Sequence, residues 1–241
     1  MVIFEITIST LGWNKHQVKQ ADILEVTMST PTPTPRLHEP RPIALVNTIW
    51  TDRTGVHDAL SEMADVQLWV RAVGEGMHLR PAPRNTDAVS VDAAQRLVDL
   101  RDAVRRLAAE HTHDPRSLGD SPVPDQTTAI SIVNAALATS SVRPELVLDG
   151  PTPVRYDLWD GGSFVDALTA VIARETMELV ISPQWQQLRP CVAPGCAYYF
   201  VKDHFRREWC SAVCGNRARV ARHAQRHRFV QTKSAVGEQD P

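Results

Sequence analysis

A mostly helical α+β fold that ends in a small metal-ordered module is what this sequence predicts. Three observations carry that prediction. Helical apolar periodicity recurs through the first three quarters of the chain, one hairpin signal interrupts it, and all four cysteines fall between Cys191 and Cys214.

With 241 residues, 43% hydrophobic and 22% charged, the chain can bury one good core plus a satellite. Residues 1–39 read as a peripheral extension. Val2–Ile8 is β-prone, and Ser29-Thr-Pro-Thr-Pro-Thr-Pro35 reads as an extended proline linker. Met28 stands just before that linker, so residues 1–27 are either native or an extension ahead of a start at Met28. They include Glu5, Lys15, Lys19, Asp22 and Glu25 and lack a basic-then-apolar leader. No apolar run reaches the ~20 residues that span a bilayer. A cytoplasmic protein without a membrane role is the expectation.

Residues 40–187 read as the larger, helical domain. Pro42–Trp50 is a short apolar run that fits either a buried strand or a helical turn. Val66, Trp69, Val70 and Val73 repeat at helical spacing over Asp65–Val73, with Gly74 and Gly76 as stops. Ser90–Glu110 is the best amphipathic helix, with Leu97, Leu100, Val104, Leu107 and Ala108 on one face and Asp99, Asp102 and Arg106 opposite. A third helix over Asp125–Thr139 places Ile130, Val133 and Leu137 together. Glu145–Leu148 and Val154–Trp159 then read as a hairpin. Ser163-Phe-Val-Asp166 resembles a capping box that opens a helix to about Ile181, with Leu168, Val171, Ile172 and Leu179 inward.

Residues 188–229 form the cysteine-rich module and 230–241 a polar tail. The spacing is C-x4-C, thirteen residues, then C-x3-C, through Cys191, Cys196, Cys210 and Cys214. Four thiolates make a closed, tetrahedral structural site for one Zn²⁺. Pro194 and Gly195 permit a tight loop for the first pair; Cys210 and Cys214 lie one helical turn apart. Tyr198–Val201 is β-prone between them. Loop, hairpin and helix in that order is the treble-clef plan. His204 reads as a surface turn residue, and Arg206, Arg207 or Arg217 as an offset to the site's negative charge.

Charge is uneven. The net charge is −2, yet residues 189–241 hold ten Lys/Arg against four Asp/Glu. Arg219, Arg222, His223 and Arg226 fall at i, i+3, i+4 and i+7, and Arg217 and Arg228 extend the basic run. Val213, Val220 and Ala224 occupy another face, suited to docking on the hairpin. An arginine-rich, single-signed helix rooted in a zinc module points to DNA, through Arg217, Arg219, Arg222, Arg226 and Arg228. A protein-interaction module is the alternative. RNA contact is disfavoured, since few aromatics beyond Tyr198, Tyr199 and Phe200 are available for stacking.

Nucleotide-binding and hydrolase motifs are absent from the sequence, and no enzymatic role is expected. His111-Thr-His113-Asp114 reads as histidines closing a helix, not as a metal site. Asn47 and Asn134 read as buried amides that satisfy backbone groups. Trp50, Trp69 and Trp159 read as core.

Leu188-Arg-Pro-Cys191, Cys196, Phe200, Asp203, Arg207-Glu-Trp-Cys-Ser211 and Cys214-Gly-Asn-Arg217 resemble the CGNR zinc-finger family of bacteria. Leu45-Val-Asn-Thr48, Asp58-Ala-Leu60, the Trp69 helix, Leu100–Leu107 and Asn134 resemble the ABATE domain that accompanies that finger. The resemblance covers about residues 41–229. It implies the four cysteines as zinc ligands and a role as a stress-responsive transcription regulator, and says little about what the larger domain senses. The expectation for that domain is that it senses or dimerises, with a homodimer and an unknown small-molecule effector as partners. The segment ahead of the first motif is longer than the family pattern.

Overall fold

The computed structural model describes residues 38–81 and 88–236, with 149 and 227–236 as backbone only. Val2–Ile8 and the proline run Ser29–Pro35 lie outside these residues. Everything described belongs to one unit, Pro33–Pro241.

Pro40 precedes a first helix, α1 (Arg41–Val46), whose Pro42 sits in the first turn, where a missing N–H costs nothing. Ile43, Leu45 and Val46 are fully buried. The apolar run is thus a helical turn first and a strand second: β1 (Ile49–Thr51) pairs antiparallel with β2 (Val56–Asp58). Trp50 is half-buried and stacks on His57 with ring centroids 4.2 Å apart, so it lies outside the core.

Helix α2 (Met63–Gly74) buries Val66, Trp69, Val70 and Val73, as their spacing requires. Gly74 does more than stop it. A Cβ there would lie 2.6 Å from the Phe164 ring, so glycine lets two helices touch. Helix α3 (Val91–Thr112) is the longest of the helical body, and Ser90 caps it by accepting from the Ala93 N–H. Its apolar seam is buried as expected, and two arginines, Arg101 and Arg105, are buried with it.

Helix α4 (Gln126–Leu137) is capped by Asp125. Its inward face is Ala129, Val133 and Ala136. Ile130 is 46% exposed, Leu137 is only partly buried, and Asn134 faces out, which corrects the sequence reading. Small alanines let α4 lie close to its neighbours, and close packing outweighs the larger apolar side chains one position along.

The hairpin joins β4 (Val142–Asp149) to β5 (Thr152–Trp159) through Gly150-Pro151. A short strand the sequence does not signal, β3 (Leu79–Arg80), pairs parallel to β5, giving the order β3-β5-β4. Two residues, one of them charged, carry too little pattern to be read. Helix α5 (Phe164–Val180) is capped by Ser163, which accepts from the Asp166 N–H. Asp166 itself turns to Arg96 at 2.7–2.9 Å, so the capping box is half made and a cross-helix ion pair takes its place.

Beyond a 3₁₀ turn at Trp185–Gln187, β6 (Leu188–Pro190) pairs antiparallel with β7 (Tyr199–Val201), and α6 (Ala212–Val236) closes the fold. Strand β7 has two working faces because successive side chains alternate. Tyr199 and Val201 join the helical core, whereas Phe200 packs with the cysteines and Ala218. Among the described residues, no helix is long and apolar enough to cross a membrane.

Candidate metal centre and basic helix

Cys191 leaves β6, and its N–H donates to the Tyr198 carbonyl at 2.9 Å. Gly195, at φ +67°, closes the loop that brings Cys196 back, and the Cys196 N–H donates to the Ala193 carbonyl at 3.0 Å. Cys210 precedes α6. Ser211 caps that helix by accepting from the Cys214 N–H at 3.3 Å, which places Cys214 in the first turn. Gly215 follows it, and a Cβ there would lie 3.0 Å from the Trp209 ring, so the helix start fits closely under that indole.

All four sulfurs are buried and lie within 4.8 Å of one another. Cys196 and Cys210 Sγ are 3.8 Å apart, Cys210 and Cys214 3.5 Å, and Cys196 and Cys214 3.8 Å. A tetrahedron with zinc–sulfur bonds of about 2.3 Å has its sulfurs about 3.8 Å apart. The four cysteines are therefore positioned to bind one metal ion, and the all-sulfur donor set suits Zn²⁺.

The electrostatics agree. The thiols titrate as a group: Cys191 is held at about 6, chiefly by a hydrogen bond from Cys196, and Cys214 is lowered first by one from Cys191. Cys196 and Cys210 are pushed up, each first by its hydrogen bond to Cys191. Packed sulfurs of this kind hold protons between them in the absence of a cation, and a dication replaces those protons.

Arg217 supplies further positive charge. Its Nη2 donates to Cys214 Sγ at 3.2 Å, and its Nε is buried without an acceptor. Four thiolates and one Zn²⁺ sum to a negative site, which that guanidinium offsets. Arg207 instead pairs with Glu39 and donates to the Val201 carbonyl at 2.9 Å, while Arg206 lies over the Phe205 ring. His204 is exposed and its Nδ1 accepts from the Arg206 N–H at 3.1 Å.

The helical body grips the metal loop, and here the sequence reading falls short. Arg116 Nη1 donates to the carbonyls of Cys191, Cys196 and Tyr198 at 3.2, 3.0 and 3.0 Å. Its other side pairs with Asp114 at 2.5 Å, and Asp114 also accepts from the Tyr199 hydroxyl at 2.5 Å. Burial opposes the charge of Asp114, but hydrogen bonds from Arg116 and Tyr199 outweigh it and hold the carboxyl below its usual range. Burial, then the Asp114 carboxylate, pushes the Tyr199 phenol up to about 12.

Arg105 is 2% exposed and, among the described residues, donates to carbonyls: Val46, Leu118, Gly119 and, at 3.1 Å, Ala197 of the metal loop. Asn47 clamps Tyr199 from both sides, its amide donating to the Tyr199 carbonyl at 2.9 Å and accepting the Tyr199 N–H at 2.8 Å. Buried Glu39 accepts from the Val201 N–H at 3.0 Å. Asn47 thus satisfies backbone groups as its burial suggests, and does so across to the finger. His111 reaches the Trp185 carbonyl at 2.8 Å, and His113 is the left-handed cap of α3.

On α6, Arg219, Arg222, His223 and Arg226 are exposed along one side and line a shallow hollow with Val220. Arg228 continues the same helix; its side chain lies outside the described residues. Val213 and Val220 are 74% and 62% exposed and Ala224 is exposed. The docked face is Cys214, Gly215 and Ala218 instead, because metal ligands fix which side of the helix turns inward.

Fold and centre together define a helical α+β protein with a C-terminal four-cysteine zinc finger. The CGNR zinc finger profile matches residues 187–227. The ABATE profile, described as "Putative stress-induced transcription regulator", matches residues 39–183, more than half of the chain. The protein belongs to the ABATE family. No curated protein matches the chain.

Proposed function

We propose that this protein is a cytoplasmic DNA-binding transcription regulator, in which the zinc centre presents α6 to the duplex and the helical body senses or dimerises. The observation that carries the reading is the stripe of Arg219, Arg222 and Arg226, exposed on a helix whose first turn is fixed by Cys214. Bidentate guanidinium groups suit both phosphate and guanine edges, and α-helices fit the major groove. Arg217, turned onto Cys214, serves the metal centre in this reading. Four thiolates leave no open coordination position, so zinc is structural in this reading. Family membership supports regulation. A small-molecule effector for the body belongs to the same proposal.

The test is fluorescence anisotropy of the full chain on random-sequence duplex DNA across a salt series. Four or five phosphate contacts give a slope of log K on log salt of about −4. Arg222→Glu with Arg226→Glu abolishes binding while one zinc per chain is retained; unchanged affinity sinks the proposal.

A protein partner is the second reading, favoured by exposed Phe205 and Val213 beside the basic side chains. Such a complex survives nuclease treatment, whereas a nucleic-acid complex yields to nuclease and to heparin.

A further inference from the structure

Strand β4 is the outer strand of its sheet, eight residues long, and no other described strand pairs with its free side. Which of its residues face that side follows from one hydrogen bond. The Asp157 N–H donates to the His78 carbonyl at 2.8 Å, toward β3. Backbone groups alternate along a strand, so Asp157, Arg155 and Pro153 direct their amide edges toward β3, and the residues between them face β4. In the observed register Pro144 opposes Asp157, Leu146 opposes Arg155 and Leu148 opposes Pro153. Pro144, Leu146 and Leu148 therefore turn their backbone groups to the open edge. Leu146 and Leu148 are also 76% and 72% exposed, toward the turn end of the hairpin.

Natural sheets blunt a free edge with charged side chains, prolines or bulges. On β4 such devices, Arg143, Pro144 and Glu145, lie at and before the middle of the strand, and beyond them stand two exposed leucines. Alternative alignments of this strand with itself can be compared position by position. Centring on residue 145 sets Glu145 against its own copy, and centring on 147 sets Glu145 against Asp149, both like-charged. Centring on 144 opposes two prolines, which have no N–H to donate. Centring on Leu146 sets Leu146 against Leu146 and Leu148 against Pro144 on one face, and Glu145 against Val147 on the other. It also sets Arg143 opposite position 149, an aspartate in the sequence. Leu146 then exchanges both backbone bonds with its copy, and each Leu148 N–H meets a Pro144 carbonyl.

We propose that β4 is a dimerisation edge: two copies of this chain pair antiparallel about Leu146, joining their hairpin sheets into one continuous sheet. The inference stands apart from any nucleic-acid role, since it uses no residue of the cysteine module or of α6.

Sedimentation equilibrium of the zinc-loaded full chain tests it, with a reversible monomer–dimer equilibrium as the expected result. Leu146→Pro removes the outward N–H without touching the β4–β5 ladder, and it raises the dimer dissociation constant about tenfold or more while far-UV circular dichroism is unchanged. A position-specific check avoids reliance on that variant folding. Directly opposed, hydrogen-bonded residues lie with Cα atoms about 5.5 Å apart, within disulfide range. Leu146→Cys under mild oxidation therefore yields a covalent dimer, whereas Leu148→Cys, facing Pro144, does not. A chain that stays monomeric throughout, a dimer indifferent to Leu146→Pro, or equal crosslinking at 146 and 148 overturns the proposal.

Discussion

Arg116, from the loop after α3, donates to the carbonyl oxygen of Cys196 at 3.0 Å, so a cation of the helical body touches the backbone of a metal-binding residue. The same nitrogen serves Cys191 and Tyr198, and the same guanidinium neutralises buried Asp114. One side chain thus fastens the metal loop and keeps the Asp114 charge paired.

Removing the Arg116 guanidinium leaves the buried Asp114 carboxylate without its counter-charge and takes a donor from the carbonyls of Cys191, Cys196 and Tyr198. Arg116→Met is expected to cost about 3–5 kcal/mol of stability, the range for breaking a buried pair on one side. Arg116→Lys recovers only part, because a single ammonium lacks the planar fork that reaches Asp114 and the loop together. Urea midpoints measure both; a loss under about 1 kcal/mol for the methionine variant contradicts the geometry.

Stripping zinc separates two kinds of support. Helix α6 docks through Cys214, Gly215 and Ala218 around the sulfurs, so chelation with thiol blocking is expected to melt its start. Strands β6 and β7 are also tied to Asn47 and Glu39 and should keep their pairing. Amide exchange reads the contrast: fast exchange from Gly215 to Ala218, slow exchange at Tyr199 and Val201. Equal loss of protection in both places refutes it.

Alkaline titration isolates Tyr199. Its phenol ionises near 10 in the unfolded chain and is pushed up to about 12 in the fold. Between those values the native state keeps a proton that the unfolded state releases, so stability falls as pH rises through that window and is complete below it. Two pH units correspond to about 3 kcal/mol. Tyr199→Phe flattens the dependence, and an unchanged slope in that variant excludes Tyr199 as its source.

Arg217 and Arg222 differ in what they touch, although they are five residues apart on one helix. Arg217→Met is expected to weaken zinc retention against a chelator by about tenfold, the lower end for groups that support a metal's ligands. Arg222→Ala, exposed and remote from sulfur, leaves retention unchanged. Competition with a zinc indicator gives both numbers, and equal values for the two variants refute the distinction.

The cysteine spacing is legible because four thiols clustered in so short a stretch point to one metal ion, and the seams of α3 and α5 are legible because Leu97, Leu100, Val104 and Leu107 in one, and Leu168, Val171, Ile172 and Leu179 in the other, repeat at helical spacing. Arg105 and Arg116 escape the same reading. A charged residue in a helix or loop is normally a solvated one, and apart from Asp114 their partners are backbone carbonyls, which no side-chain pattern records. Val213 and Val220 mislead in the opposite direction. Their apolar character suggests docking, yet the helix rotation is dictated by the sulfur of Cys214, and small Ala218 fills the contact. Ile130 yields to Ala129 on α4 for a related reason: proximity between helices, not hydrophobicity alone, selects the inner face.

Strand β7 belongs to two interiors at once, Tyr199 to one and Phe200 to the other. A transplant of residues 187–227 onto a foreign carrier would therefore arrive with a bare tyrosine flank and stranded backbone amides. Any chimera meant to exchange fingers between relatives has to carry the receiving surface, Glu39, Asn47, Arg105 and Arg116, as part of the graft.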